Sequence, residues 1–308
     1  MNFRVVRAAA LLLAMLVAVP LPAAADWRDG FKVLRVGIVA VNGAGYDIQR
    51  LQPFRRYLEG WIGVPVEIVA TASYDALIDA QASARVQYAI HSAASYVTAA
   101  ATCECVDPLA LPAAFDGSRG FHAVLVAHAQ GAVTSLADAK GNRLALTGED
   151  SIAGRLVPLR ALADQGIDAP AYFSSVLTAA DPEQAVTMLF TGETDLAAGW
   201  SSLSGDPAAG YSFGVFTRMV ADGALSMDRL RIVWQSPLIP FGPHVVRRDL
   251  PGELKTLLGQ ALAAMANEAP DVLDAVNGSS IGGGGFVPAT DKDYAVIADL
   301  VRERAGGG

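Results

Sequence analysis

Apolar residues in this chain come in short solid runs, separated by stretches with a helical repeat. Val33 to Ala40 (V-L-R-V-G-I-V-A) is rich in branched residues and predicts a buried strand. Val41 to Tyr46 is a Gly/Asn loop. Asp47 then opens a helix with Ile48, Leu51, Phe54 and Leu58 on one face, and Gly60 and Gly63 close it. Val64 to Val69 repeats the strand pattern, and Ser73 caps a helix through Ala80. Val86 to Ile90 is a third strand and Ala93 to Ala101 a further helix. This β-α-β-α-β order predicts a mostly parallel sheet with helices on both faces.

A second unit of the same kind follows. Phe121 to Ala127 reads as a strand, Ser135 to Lys140 as a short helix, Arg143 to Leu146 as a strand and Ile152 to Gln165 as a helix. Tyr172 to Leu177 reads as a strand, and Asp181-Pro-Glu starts a helix through Phe190. Asp195 to Ala198 is another short strand. After Arg231 to Val233 come a Pro/Gly-rich turn, His244 to Val246, and helices Pro251 to Ala266 and Asp291 to Arg304. This tail is too small for a third domain and is expected to complete the first unit. The expectation is a two-lobed α/β fold, with residues 26–120 plus 234–308 as lobe I and residues 121–233 as lobe II. Crossovers near Phe121 and Val233 would leave a cleft between them.

The first 25 residues read as a removable leader. Arg4 and Arg7 are followed by the apolar run Ala8 to Val19, then Pro20, Pro22 and Ala23-Ala24-Ala25 before Asp26. A membrane-spanning helix needs about 20 apolar residues, more than this run holds. No cysteine stands at the cleavage point, so no lipid anchor is expected. Cleavage near Asp26 leaves 283 residues, exported to the periplasm.

The chain is 52 % hydrophobic and 18 % charged, which excludes a disordered protein. Its net charge of −8 falls to near −10 without Arg4 and Arg7. Nucleic acid is therefore not an expected partner. A small anion still fits, because local backbone dipoles can outweigh global charge. The two cysteines, Cys103 and Cys105, stand in Thr-Cys-Glu-Cys. They are too close to staple a fold; a buried thiol pair, a small local ring, and a soft-ligand or redox site all remain open. A zinc site needs two more ligands, and His91, His122, His128 and His244 do not pair with them at ligand spacing. Neither a metal nor a cofactor is expected.

Gly-x-Ser-x-Gly, His-Glu-x-x-His and Gly-x-x-x-x-Gly-Lys-Ser/Thr are absent, and Gly43-Ala44-Gly45 lacks the third glycine of a dinucleotide loop. This favours binding over chemistry. Leu34-Arg-Val-Gly-Ile, Leu51-Gln-Pro-Phe-Arg-Arg-Tyr-Leu-Glu, Gly63-Val-Pro-Val-Glu, Ser95-Tyr96-Val97, Asp107-Pro-Leu-Ala, Asp116-Gly-Ser-Arg-Gly-Phe and Ser135-Leu-Ala-Asp-Ala-Lys-Gly occur in that order. Gly192-Glu-Thr-Asp-Leu-Ala-Ala, Trp234-Gln-Ser-Pro-Leu-Ile-Pro-Phe-Gly-Pro and Gly285-Phe-Val-Pro-Ala-Thr-Asp-Lys-Asp-Tyr follow. Together they make the chain resemble the periplasmic phosphate/phosphite/phosphonate-binding proteins of ABC importers, which are type II periplasmic binding proteins.

The resemblance implies two lobes that close on a small anionic ligand, delivery to an inner-membrane ABC permease, no enzymatic activity and a monomer. The family pattern Ser-Thr-Ser-Gly becomes Ser151-Ile152-Ala153-Gly154, so one hydroxyl is kept and two are replaced by apolar groups. A family histidine is missing from Thr178-Ala-Ala-Asp181-Pro182, and a family aspartate is kept as Asp195. The implied ligand set is Tyr46, His91, Ser92, Tyr96, Ser151, Ile152, Ala153 and Asp195. Tyr46, His91, Ser92 and Tyr96 follow predicted strands, where open α/β sheets bind ligands. Structural roles also fit: a core histidine for His91, packing or rim tyrosines, a plain cap for Ser151 and a strand-end carboxylate for Asp195. A second reading is a periplasmic sensor, arsenite- or oxyanion-responsive, that docks on a histidine kinase.

Overall fold

The computed structural model describes residues 26–277, 281 and 283–306; the leader assigned to residues 1–25 lies outside the described residues. The first half runs α1 (Trp27–Gly30), β1 (Leu34–Val39), α2 (Ala44–Arg50), α3 (Gln52–Ile62), β2 (Val66–Thr71), α4 (Tyr74–Ala82), β3 (Tyr88–Ile90), α5 (Ala93–Cys103) and β4 (Val106–Pro112). The middle holds β5 (Gly120–His128), β6 (Arg143–Leu146), a single π-turn (Ile152–Leu156) running into α6 (Val157–Asp164), α7 (Ala169–Tyr172), β7 (Ser175–Thr178), α8 (Pro182–Thr191), β8 (Leu196–Ser201) and α9 (Val215–Ala221). The chain ends with β9 (Leu230–Gln235), β10 (Ile239–Pro240), β11 (His244–Arg247), α10 (Gly252–Glu268), α11 (Pro270–Asn277), β12 (Phe286–Pro288), a 3-10 turn (Asp291–Tyr294) and α12 (Ala295–Gly306).

These strands form two sheets. One has the order β12-β4-β11-β3-β1-β2, the other β10-β5-β8-β6-β7 with β9 also on β5. In the first, β2, β1 and β3 are parallel, and β11 enters antiparallel between β3 and β4. In the second, β6, β7 and β8 are parallel and β5 opposes them. Both sheets are mixed in their pairing, although most strands in each point one way. The returning strand β11 lies inside the first sheet rather than beside it.

Alternation along the strands sorts residues to two buried faces. Leu34, Val36 and Ile38 pack with Phe54, Leu58 and Ile62 of α3, a four-residue repeat, and with Leu254, Leu258 and Met265 of α10. Gly63 ends α3 at φ +72, while Gly60 lies inside the helix. On β5, Val124 and Val126 face α8 and α9, and Leu125 and Ala127 face the layer of Leu162 and Phe173. The segment expected to be a strand from Tyr172 instead begins as α7. Pro170 favours that helical turn, and Phe173, just after it, is buried at 3 % exposure before β7 begins at Ser175.

Two chain segments cross between the sheets side by side. Ile239 pairs with Phe121 and Pro240 with Gly120, and Phe241 N–H donates to Arg119 O at 3.0 Å. Gly120 is needed here for close approach, since a Cβ would lie 2.1 Å from Ile239 O.

Candidate functional site

On the first sheet the carboxyl end of β3 leads straight into α5. Ser92 Oγ accepts from Ser95 N–H at 3.1 Å, and Ser92 N–H donates to Ser95 Oγ at 3.0 Å, a reciprocal cap. His91 is turned inward beneath this cap. Its Nδ1 lies 3.0 Å from Ser95 Oγ, and its Nε2 2.9 Å from Gln81 Oε1. Gln81 Nε2 donates to Val245 O, so the amide oxygen is left to accept from the imidazole. Burial pushes the His91 pKa down to about 4, and the ring is neutral at pH 7. His91 thus orders the start of α5 rather than presenting a free ring nitrogen.

Tyr96, one turn further, is 2 % exposed. Its hydroxyl donates to Asp291, and its ring meets Tyr294 edge-on at 4.9 Å. Burial, followed by the Asp291 carboxylate, raises its pKa. It fastens the C-terminal segment to α5. Tyr46, on α2 just after β1, is instead 63 % exposed. Its loop is closed by Asp47, whose carboxylate accepts from Asn42 N–H at 2.9 Å and is held below its usual range by that bond.

On the second sheet the carboxyl end of β6 leads through Thr147–Asp150 to Ser151. Ser151 Oγ accepts from Gly154 N–H at 3.1 Å. Gly154 is dictated by contact: a Cβ there would stand 1.9 Å from Thr147 Oγ1. Thr147 is 2 % exposed, and its hydroxyl is buried without a partner among the described residues. Ile152 and Ala153 belong to one apolar cluster with Ala93, Ala94, Tyr96 and Trp200. Both helix starts therefore border one apolar cluster, and the replaced hydroxyl positions supply apolar surface to it.

Asp195 is not brought to this place. It precedes β8 and accepts from Arg143 Nε–H at 2.9 Å and Nη2–H at 2.8 Å. Those bonds hold its carboxyl below the usual range. Both residues sit at the amino ends of parallel strands, and Thr147, four residues along β6 from Arg143, is roughly 13 Å away at ~3.3 Å per residue. Cys103 and Cys105 form a disulfide at the far end of α5 from Ser92, roughly 15 Å along the helix at ~1.5 Å per residue. Among the described residues no group of three His, Cys, Asp or Glu is placed to hold a metal ion, and no helix is long and apolar enough to cross a membrane.

Thr147 and Arg155 were not singled out from the sequence. Arg155 donates through Nη1 to Thr147 O at 3.1 Å and to Thr178 Oγ1 at 3.4 Å. A signal was available: Arg155 is the sole cation between Leu144 and Leu159, directly after the Ser-x-x-Gly start. Four exposed large hydrophobics lie at carboxyl strand ends. Val41 and Tyr46 follow β1, Tyr74 follows β2 and Leu177 lies near the end of β7.

Solved structures share this architecture. A Xanthomonas citri protein solved with ATP superposes with a TM-score of 0.64 at 17 % identity, covering 90 % of this chain and 99 % of that one. A binding component of a phosphonate ABC transporter from Pseudomonas aeruginosa gives 0.54 at 21 % identity, covering 87 % and 85 %. PhnD1 of Prochlorococcus marinus in complex with methylphosphonate gives 0.54 at 18 % identity, covering 89 % and 98 %. These likenesses establish the type II periplasmic binding protein fold. The model of one sequence family matches residues 38–294, and by that match this chain belongs to the phosphonate periplasmic substrate-binding proteins of ABC transporters.

Proposed function

We propose that this chain takes a small phosphonate- or phosphate-like anion between two lobes, residues 26–120 with 234–308 and residues 121–233, and delivers it to an ABC permease. One observation carries the reading. The helix starts at Ser92 and Ser151 stand at the carboxyl ends of their sheets and border one apolar cluster, and beside Ser151 lies a buried Thr147 hydroxyl with no partner among the described residues. Helix starts offer N–H donors and positive dipole ends, which suit an oxyanion. Ile152 and Ala153 add an apolar wall, so the ligand that fits best carries an apolar substituent on its charged head. Tyr46 stands at the rim. His91 and Tyr96 support the first half-site from behind.

The paired crossings at Gly120 and Pro240 are where the lobes would hinge. In this reading the leader is cut near Asp26 and the mature chain works in the periplasm as a monomer without cofactor. The kinase-partnered sensor reading is weaker, because the cysteines that would sense a soft ligand are bonded to each other away from both helix starts.

The test is calorimetric titration of the exported chain with methylphosphonate, phosphite, inorganic phosphate and ATP. The first and last probes are the ligands of two structural neighbours. At least one phosphorus oxyanion is expected to bind, and Ser151→Ala to weaken it by about 0.5–3 kcal/mol. Absence of binding to all four would overturn the proposal.

A further inference from the structure

Arg155 sits in the first turn of the helix that Ser151 opens, directly after Gly154. Its Nη1 bonds to Thr147 O and Thr178 Oγ1 lay the guanidinium across the carboxyl ends of β6 and β7. This is the same edge that carries the helix start. Its Nε and Nη2 make no hydrogen bond, and no carboxylate pairs with it, among the described residues. A guanidinium held by one nitrogen keeps a two-pronged donor face for a planar or tetrahedral oxyanion.

The charges around it make that face consequential. Glu149 and Asp150 lie exposed in the loop before Ser151, and Asp181 caps α8 three residues beyond Thr178. Arg143 is committed to Asp195 at the opposite end of the sheet, and Arg160 bonds to Asp164. Arg155, four residues after Ser151, is the cation closest in sequence to this helix start. The Thr147 hydroxyl, buried and unpartnered in the same turn, adds a further donor.

We propose that Arg155, tied to the Thr147 carbonyl and to Thr178, reads ligand charge, so that the protein selects doubly charged oxyanions over singly charged ones of the same shape. This rests on the anion-binding reading above, and it assigns the discrimination by charge to one side chain that the reading did not use.

The experiment titrates the exported chain with methylphosphonate and methanesulfonate above pH ~8.5, where the phosphonate carries two charges. The wild type is expected to prefer methylphosphonate by about tenfold or more. Arg155→Gln is expected to lose about tenfold or more in methylphosphonate affinity and most of that preference. Arg155→Lys keeps the charge without the fork, and should bind more weakly while still preferring the phosphonate. Melting curves establish that each variant is folded. If the Gln variant does not fold, the Lys variant decides: a weakened but phosphonate-preferring protein supports the assignment, and unchanged affinity overturns it. Equal binding of both probes by the wild type overturns the selectivity while leaving the anion site standing. Wild-type binding of neither probe overturns both.

Discussion

The helices that begin at Ser92 and Ser151 border one apolar cluster, yet their first turns are built in opposite ways. At Ser92 each polar side chain beneath the turn has a partner. His91, Ser95 and Gln81 form a closed relay that ends on Val245 O of the returning strand. At Ser151 the turn opens as a π-turn, a buried hydroxyl goes unpaired, and a cation is held by one nitrogen. Buried polar groups are normally satisfied, and an orphan costs about 1–3 kcal/mol. The contrast is between a turn whose buried polar side chains are paired and a turn in which, among the described residues, the Thr147 hydroxyl is not.

Acid should set the two sheets apart most strongly. His91 and His244 lie in the first, both 3 % exposed or less, with pKa values pushed down by burial to about 4 and about 3. Above pH 6.5 both states of the protein hold them neutral. Below it the unfolded chain binds protons that the folded chain refuses, so stability falls as pH falls, down toward those folded values. At pH 5 the loss relative to pH 7 is about 2 kcal/mol for each histidine, roughly 4 kcal/mol together. Urea denaturation at the two pH values measures it, and His91→Gln should halve the difference. A flat pH response would break the contrast.

Gly154→Ala is the next largest change. The new Cβ would be driven into Thr147 Oγ1, and overpacking of this kind costs about 1–3 kcal/mol. A combined Gly154→Ala/Thr147→Ala protein should recover part of that loss, since the closest obstruction is gone while Ser151 Oγ at 2.8 Å and the residue 147 Cβ at 3.0 Å remain. Thermal melts of the single and double variants check it; additive losses would mean that the two residues do not interact.

The caps give a smaller and more discriminating pair. Ser92→Ala and Ser151→Ala each remove a cap worth about 1 kcal/mol of stability. Ser92→Ala should also leave the Ser95 hydroxyl, on which the His91 ring rests, with one partner fewer, so its melt should drop further than that of Ser151→Ala. Similar drops would mean that the relay beneath α5 adds nothing to its cap.

These contrasts were only partly legible beforehand. β6 was read residue for residue, and β1 to within one residue at each end, because solid branched runs bounded by loop residues have few alternatives. β4 was not assigned from the sequence, and Pro108 and Pro112 argue against a strand; it forms because β11 and β12 pair with it on either side. α9 has only seven residues, too short to carry a repeat. Ser92 and Ser151 were readable as helix starts because cap chemistry is local. The inward turn of His91 depends on Gln81 ten residues earlier, and the station of Asp195 on Arg143 across two strands. Neither partner is visible in a local pattern. Thr147 was hidden because its meaning lies in what fails to bond to it.

The smallest effect expected is at Asp195, and it tests whether the contrast is confined to the carboxyl edges of the sheets. Asp195 and Arg143 hold the amino ends of β8 and β6 together through paired side-chain bonds, with side chains 33 % and 40 % exposed. Partly exposed pairs contribute about 0–1 kcal/mol, and the two-pronged geometry places this one near the upper end. Asp195→Asn should therefore lower stability by less than about 1 kcal/mol, more at low salt than at high salt because screening weakens the pair that is lost. Methylphosphonate affinity should stay within about threefold of wild type, since a site roughly 13 Å away keeps its donors. Calorimetry on the variant measures this. A loss of affinity as large as that expected for Arg155→Gln would show that the amino edge is coupled to the helix start at Ser151.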